Sequence, residues 1–128
     1  MWRDMKIIAV DNFTNRLTQL HELLGDIFHG NEISAFVDPF FAVQHSMKHG
    51  VDIVFVQSNL RPLNYINISY LVHKFNEKAK VYLIVDDLSS IDKIDRKVGI
   101  AGYAENPLDR EKIESLLPSN TYQIKEQI

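Results

Sequence analysis

Five short runs rich in β-branched and aromatic residues alternate with segments whose apolar residues fall at helical spacing, and no other feature limits the fold as tightly. The runs are KIIAV (Lys6 to Val10), EISAFV (Glu32 to Val37), VDIVFV (Val51 to Val56), KVYLIV (Lys80 to Val85) and the weaker AGYAE (Ala101 to Glu105), each of strand length. Between or after them come Leu17, Leu20, Leu24 and Ile27; Phe40, Val43 and Met47; Ile68, Leu71, Val72 and Phe75; Ile91, Ile94 and Val98; and Ile113, Leu116 and Leu117. Strand followed by helix, repeated, means βαβ units. Runs one, three and four are apolar nearly throughout, as parallel strands covered by helices on both faces should be. With right-handed crossovers the pattern predicts an α/β fold: a doubly wound five-stranded parallel sheet of order 2-1-3-4-5 with helices on both faces.

Punctuation marks the boundaries. Asp38-Pro39 places a capping carboxylate before a proline in the first helical turn, and Gly50 stands where a left-handed C-terminal cap belongs. Ser89 with Asp92 resembles a capping box; Asp109 precedes the last helical run, which Pro118 ends. One domain over residues 1–118 is expected, with 119–128 a polar tail or linker.

Composition narrows the function classes. A chain of 128 residues with 45% hydrophobic and 24% charged residues can bury one sizeable core. No apolar run nears the roughly 20 residues that span a bilayer, and the N-terminus MWRDMKIIAV lacks a secretory pattern. The expected location is cytoplasmic, without membrane contact. The absence of cysteine excludes disulfides and thiolate metal sites. A net charge of -3 argues against this segment holding nucleic acid directly.

In open sheets of this type, ligands bind beyond the carboxyl ends of the strands where the winding reverses. The groups expected there are Asp11-Asn12, Gln57-Ser58, Val85-Asp86-Asp87 and Asn106-Pro107. These strand ends resemble the response-regulator receiver domain, a CheY-like, flavodoxin-like family, over about residues 5 to 118. MKIIAVDN is similar to its first strand with the acidic pair, DIVFVQSNLRP to the strand bearing the phosphorylated aspartate, VYLIVD to the strand ending in Thr or Ser, and AGYAENP to the aromatic-x-x-Lys-Pro strand. The wording is most similar to receivers of LytTR-type or related Firmicutes transcriptional regulators.

Carried over residue by residue, the resemblance implies a degenerate pseudo-receiver. Asp11 matches one acidic metal ligand and Asn12 replaces the second; Gln57 falls at the phosphoacceptor, Val85 at the hydroxyl residue and Asn106 at the lysine, leaving Tyr103 at the switch aromatic and Pro107 unchanged. Aspartyl phosphorylation needs a carboxylate nucleophile, hard anionic ligands for Mg²⁺, and a cation for the transferred group. An amide is no substitute for that carboxylate. The expectation is therefore a vestigial pocket of Asp11, Asn12, Gln57, Val85, Asp86 and Asn106, with no catalytic residue, metal or cofactor. Receivers commonly dimerise or dock partners through the face beside strand five, which here makes Tyr103, Arg96 and Arg110 the candidate contacts for a homodimer, a protein partner or an output domain.

Other groups are weaker candidates. Asp86 and Asp87 with Asp11 could approach a cation, but capping and solvation explain them more simply. Ser58 lacks a visible base, and His45 with His49 forms an i, i+4 pair without a third ligand. The competing functions are a small-molecule or metal sensor using the vacated pocket, and an atypical phosphoacceptor domain.

Overall fold

The computed structural model of the protein describes residues 5–89 and 99–117. β1 (Lys6–Val10), β2 (Glu32–Phe36), β3 (Ile53–Gln57), β4 (Lys80–Val85) and β5 (Ile100–Glu105) form one sheet of order β2-β1-β3-β4-β5. All four pairings are parallel, so the doubly wound topology stands. Among the described residues the helices are α1 (Thr14–Ile27), α2 (Pro39–His49), α3 (Tyr65–Phe75) and α4 (Arg110–Leu116). The helical spacing of Ile91, Ile94 and Val98, the Ser89–Asp92 cap, Pro118 and the tail at 119–128 fall wholly or partly outside the described residues.

Strand alternation splits the core in two. Ile7, Ala9, Ile53, Phe55, Tyr82 and Ile84 point to the face covered by α1 and α4, where they meet Leu17, Leu20, Leu24, Ile27 and Ile113. Ile8, Val10, Val54, Val56, Val81, Leu83 and Val85 point to the other face, against Ala42, Val43, Ile68 and Val72 of α2 and α3. An irregularity between Val81 and Tyr82 shifts the β4–β5 register by one residue, so that Leu83 pairs with Tyr103 and Val85 with Glu105. Within the first core the Phe55 and Tyr82 rings stack with centroids 5.5 Å apart, and burial pushes the Tyr82 phenol above its ordinary pKa.

Asp38 and Asp109 cap their helices as expected, and Asn64 caps α3 as well. Asp38 accepts from the Phe40 N–H and Asn64 from the Asn67 N–H, while Asp109 accepts from the Lys112 N–H at 2.8 Å. Gly50 closes α2 with φ +81° and ψ 163°, a positive-φ conformation distinct from the left-handed helical one expected of a cap.

Two helix faces differ from expectation. α2 buries Pro39, Ala42, Val43 and Ser46, leaving Phe40 and Met47 exposed; α3 buries Ile68, Ser69 and Val72, leaving Phe75 outside. Small residues let these helices approach the sheet closely, so the largest apolar side chains are not the ones turned inward. Ile68→Ala should therefore cost about 2–5 kcal/mol, while Phe40→Ala should stay within about 0.5 kcal/mol of the parent protein. Urea midpoints measure both; a large loss at Phe40 would contradict the observed face.

Candidate functional site at the strand ends

The side chains that meet beyond the strand ends are selected by the same alternation. Gln57 follows Ile53 and Phe55 on the α1 face, and Asp86 follows Tyr82 and Ile84 onto it. Asp11, directly after β1, is fully buried, and Gln57 is 2% exposed. A buried carboxylate needs a cation or several donors. Arg16, in the first turn of α1, supplies the cation: its Nε donates to Asp11 Oδ2 at 2.5 Å and its Nη2 to Oδ1 at 3.0 Å. The Phe13 N–H also donates to Oδ1 at 3.0 Å. These contacts form a two-pronged guanidinium–carboxylate pair, the geometry for which arginine is best suited. They raise the Arg16 pKa above its ordinary value, chiefly through the hydrogen bond to Asp11 and against the opposing effect of burial.

The remaining prong turns toward β4. Arg16 Nη1 lies 3.7 Å from Asp86 Oδ1, and the same oxygen accepts from Asn106 Nδ2 at 2.8 Å. Asn106 Nδ2 also donates to Gln57 Oε1 at 3.1 Å. Asp11, Arg16, Asp86, Asn106 and Gln57 thus form one connected polar chain running from β1 across to β5. Asn106 is held by its neighbours: Lys112 Nζ donates to the carbonyls of Glu105 at 3.1 Å and Pro107 at 2.7 Å, fixing the start of the β5–α4 connection.

Beside this chain opens a cavity of about 400 Å³, bounded by Arg16, Gln19, Leu20 and Leu23 of α1 and by Gln57, Asp86 and Asn106 through Leu108. Leu20, Leu23, Pro107 and Leu108 make its wall apolar in part, Gln19 and Arg16 of α1 add polar groups, and the strand ends are polar.

Not every expected pocket residue belongs to this group. Asn12 faces elsewhere: its amide donates to the Val37 and Arg61 carbonyls and accepts from the Arg61 N–H, each at 2.8 Å, tying two loops together. Val85 is placed in the pocket by the sequence reading, but it is 1% exposed in the core under α2 and α3, on the opposite face from Gln57. Asp86 is the β4-end residue that joins Gln57 and Asn106; a one-residue shift along a strand exchanges faces. Tyr103 is half-buried against the same core as Val85. Arg110 lies on α4 with its Nε 3.4 Å from Glu114, and Arg96 lies outside the described residues.

The other candidates find ordinary roles. Asp87 accepts from the Ser89 N–H at 2.9 Å, which holds its carboxyl below the usual range, and the Ser58 N–H donates to the Ile84 carbonyl. The His45 and His49 rings meet tilted at 45° with centroids 4.6 Å apart, and among the described residues no three metal-ligating side chains converge. Arg16 is the residue that sequence reasoning missed. A signal existed: a cation in the first turn of a helix opposes the helix dipole, so its presence in α1, whose first turn has no acidic residue, points to an anion supplied by the fold.

The donor set does not suit the divalent cation that receivers use. Both Asp11 oxygens are engaged by Arg16, the neighbouring position is an amide turned toward two loops, and β3 ends in another amide. Hard cations require several converging anionic or carbonyl oxygens, and here a guanidinium already neutralises the buried one.

No protein-family model and no curated protein matches the chain. Solved structures do. A response regulator receiver domain protein from Clostridium thermocellum superposes with a TM-score of 0.78 at 16% identity, covering 97% of this chain and 99% of that one. The signal receiver domain of an HD domain-containing protein from Pseudomonas fluorescens Pf-5 gives 0.77 at 20% identity, over 98% and 100% of the two chains. The Vibrio cholerae chemotaxis protein CheY4 gives 0.76 at 19%, over 88% and 94%. At these identities the similarity concerns architecture: the chain has the fold of CheY-like response-regulator receiver domains.

Proposed function

We propose that the protein is a receiver-like signalling module that works without phosphorylation, through protein–protein contacts, and that it serves a transcriptional output. The observation that carries this reading is the Arg16–Asp11 pair, together with an amide, Gln57, at the end of β3. A receiver's chemistry begins with a carboxylate nucleophile and a metal beside it. Here the nucleophile position holds an amide, and the space for the metal charge is taken by a guanidinium from the chain itself.

The pocket's charge reinforces this. Asp11 and Asp86 contribute two carboxylates against one guanidinium, leaving one net negative charge where a dianionic phosphoryl group would have to settle. Like charges at such range are strongly unfavourable in a partly dehydrated site. Asn106 offers a neutral donor in place of a lysine, and that donor is already shared between Gln57 and Asp86. Receivers shift between states because the phosphoryl group binds them unequally; a module lacking that differential affinity presents a constant surface. Regulation is then set by which partner binds and how much of it is present.

The face beside β5 is the proposed contact surface, with a second copy of the chain as its first partner. Tyr103 and Arg110 belong to it, and mixed charges on α4 suit a two-fold contact in which each patch meets its copy.

Two measurements check the proposal. Incubation with acetyl phosphate and Mg²⁺ should leave the intact mass unchanged for the wild type, and also for Gln57→Asp, because Arg16 and Asp86 still occupy the site; rapid Mg²⁺-dependent labelling of the wild type would overturn the reading. In sedimentation equilibrium the wild type should associate, and Tyr103→Ala combined with Arg110→Glu should yield a folded monomer. A wild type that stays monomeric at high micromolar concentration would remove the dimer and leave docking to a different protein.

A further inference from the structure

The cavity beside the polar chain has features that the signalling reading does not use. At about 400 Å³ it is large enough for a small organic molecule, and sites of this size commonly pair apolar walls with a few fixed polar groups. Leu20, Leu23, Pro107 and Leu108 supply the apolar wall; Gln57 and Asn106 supply the polar end.

The hydrogen-bond inventory of that end is specific. Gln57 is 2% exposed, and its Oε1 accepts from Asn106 Nδ2, which orients its Nε2 as a donor; among the described residues that Nε2 has no protein partner. That donor opens on the cavity, where an acceptor on a bound molecule can take it in place of solvent. Asn106 spends its Nδ2 on Gln57 and Asp86, so its Oδ1 remains an acceptor, and Asp86 Oδ2 is a second one. The pocket therefore presents a donor next to acceptors, the complement of a group carrying a carbonyl beside an N–H.

Charge narrows the class further. The guanidinium of Arg16 is committed to Asp11 and lies near Asp86, so the pocket carries one net negative charge and no free cation among its lining residues. A carboxylate or phosphate would meet repulsion there; a cation without a carbonyl would leave the Gln57 donor unanswered.

We propose that this cavity is a binding site for a small, planar, uncharged amide, such as a lactam or an aromatic carboxamide, with its C=O accepting from Gln57 Nε2, its N–H donating to Asn106 Oδ1 or Asp86, and its apolar body against Leu20, Leu23 and Leu108. The site extends the signalling reading without depending on it, because phosphate chemistry plays no part in it.

The test uses the whole chain, with benzamide and its isosteric anion benzoate as probes, read by NMR shifts of the Gln57 and Asn106 side-chain NH₂ groups and of the Leu20, Leu23 and Leu108 methyls. Benzamide should shift these groups saturably, and benzoate should bind about tenfold more weakly or worse. Gln57→Leu should weaken benzamide by about tenfold, since the donor is lost while the side-chain volume is nearly kept. Gln19→Trp, at an exposed position of α1 on the cavity rim, should block binding with the core untouched, and it keeps the test open if the buried substitution does not fold. Absence of benzamide shifts at these groups, equal binding of benzoate, or undiminished binding by a folded Gln19→Trp protein would each overturn the proposal.

Discussion

The arrangement at the strand ends depends on one carboxylate that has no access to water. Asp11 follows directly on four buried residues of β1 and is itself fully buried, so its charge must be met from inside the protein. Arg16 meets it with two hydrogen bonds and in doing so is drawn across the strand ends to Asp86. Asp86 then takes one bond from Asn106, which takes up Gln57 as well. Removing the guanidinium would leave a buried carboxylate with only the Phe13 N–H for support, and the chain that fixes Gln57 would lose its anchor.

Which residues take part is decided by the pleat. β3 and β4 each send alternate side chains to the α1 face, so Gln57 and Asp86 face α1 while Val85 packs under α2 and α3. The irregularity between Val81 and Tyr82 sets the β4–β5 register, pairing Val85 with Glu105 and bringing Asn106, directly after β5, to the level of Asp86. Lys112 then fixes the backbone on either side of Asn106 from α4. The site is thus built on strand ends and braced by α1 and α4 on one face.

Much of this was legible in the amino-acid sequence, for physical reasons that also explain the failures. Buried parallel strands must be apolar on both faces, and KIIAV and KVYLIV could be little else; both strands match the reading residue for residue. Leu17, Leu20, Leu24 and Ile27 form the one wide apolar stripe on α1, and all four are buried. On α2 the reading took Phe40, Val43 and Met47; Val43 is buried, but the bulky Phe40 and Met47 are not, and Pro39, Ala42 and Ser46 join Val43 against the sheet. At the site, Gln57 and Asn106 were found because strand ends are visible in sequence. Val85 was counted in the pocket beside Asp86 because the face of a terminal strand residue depends on register, and Asn12 was counted there because its loop partners Val37 and Arg61 are remote in the chain. Arg16 escaped because an arginine on a helix reads as solvated until a buried anion is known to lie behind it.

The occupation of the acidic pocket by Arg16 can be observed directly. In an ¹H–¹⁵N spectrum of ¹⁵N-labelled protein, the Arg16 Nε–H should give a slowly exchanging signal shifted away from those of exposed arginines, since it is bonded to a buried carboxylate. Millimolar Mg²⁺ should leave that signal in place. Its loss or displacement on titration with Mg²⁺ but not Na⁺ at matched ionic strength would show that a metal competes for Asp11, and that the pocket retains the ion chemistry from which a phosphorylatable receiver is made.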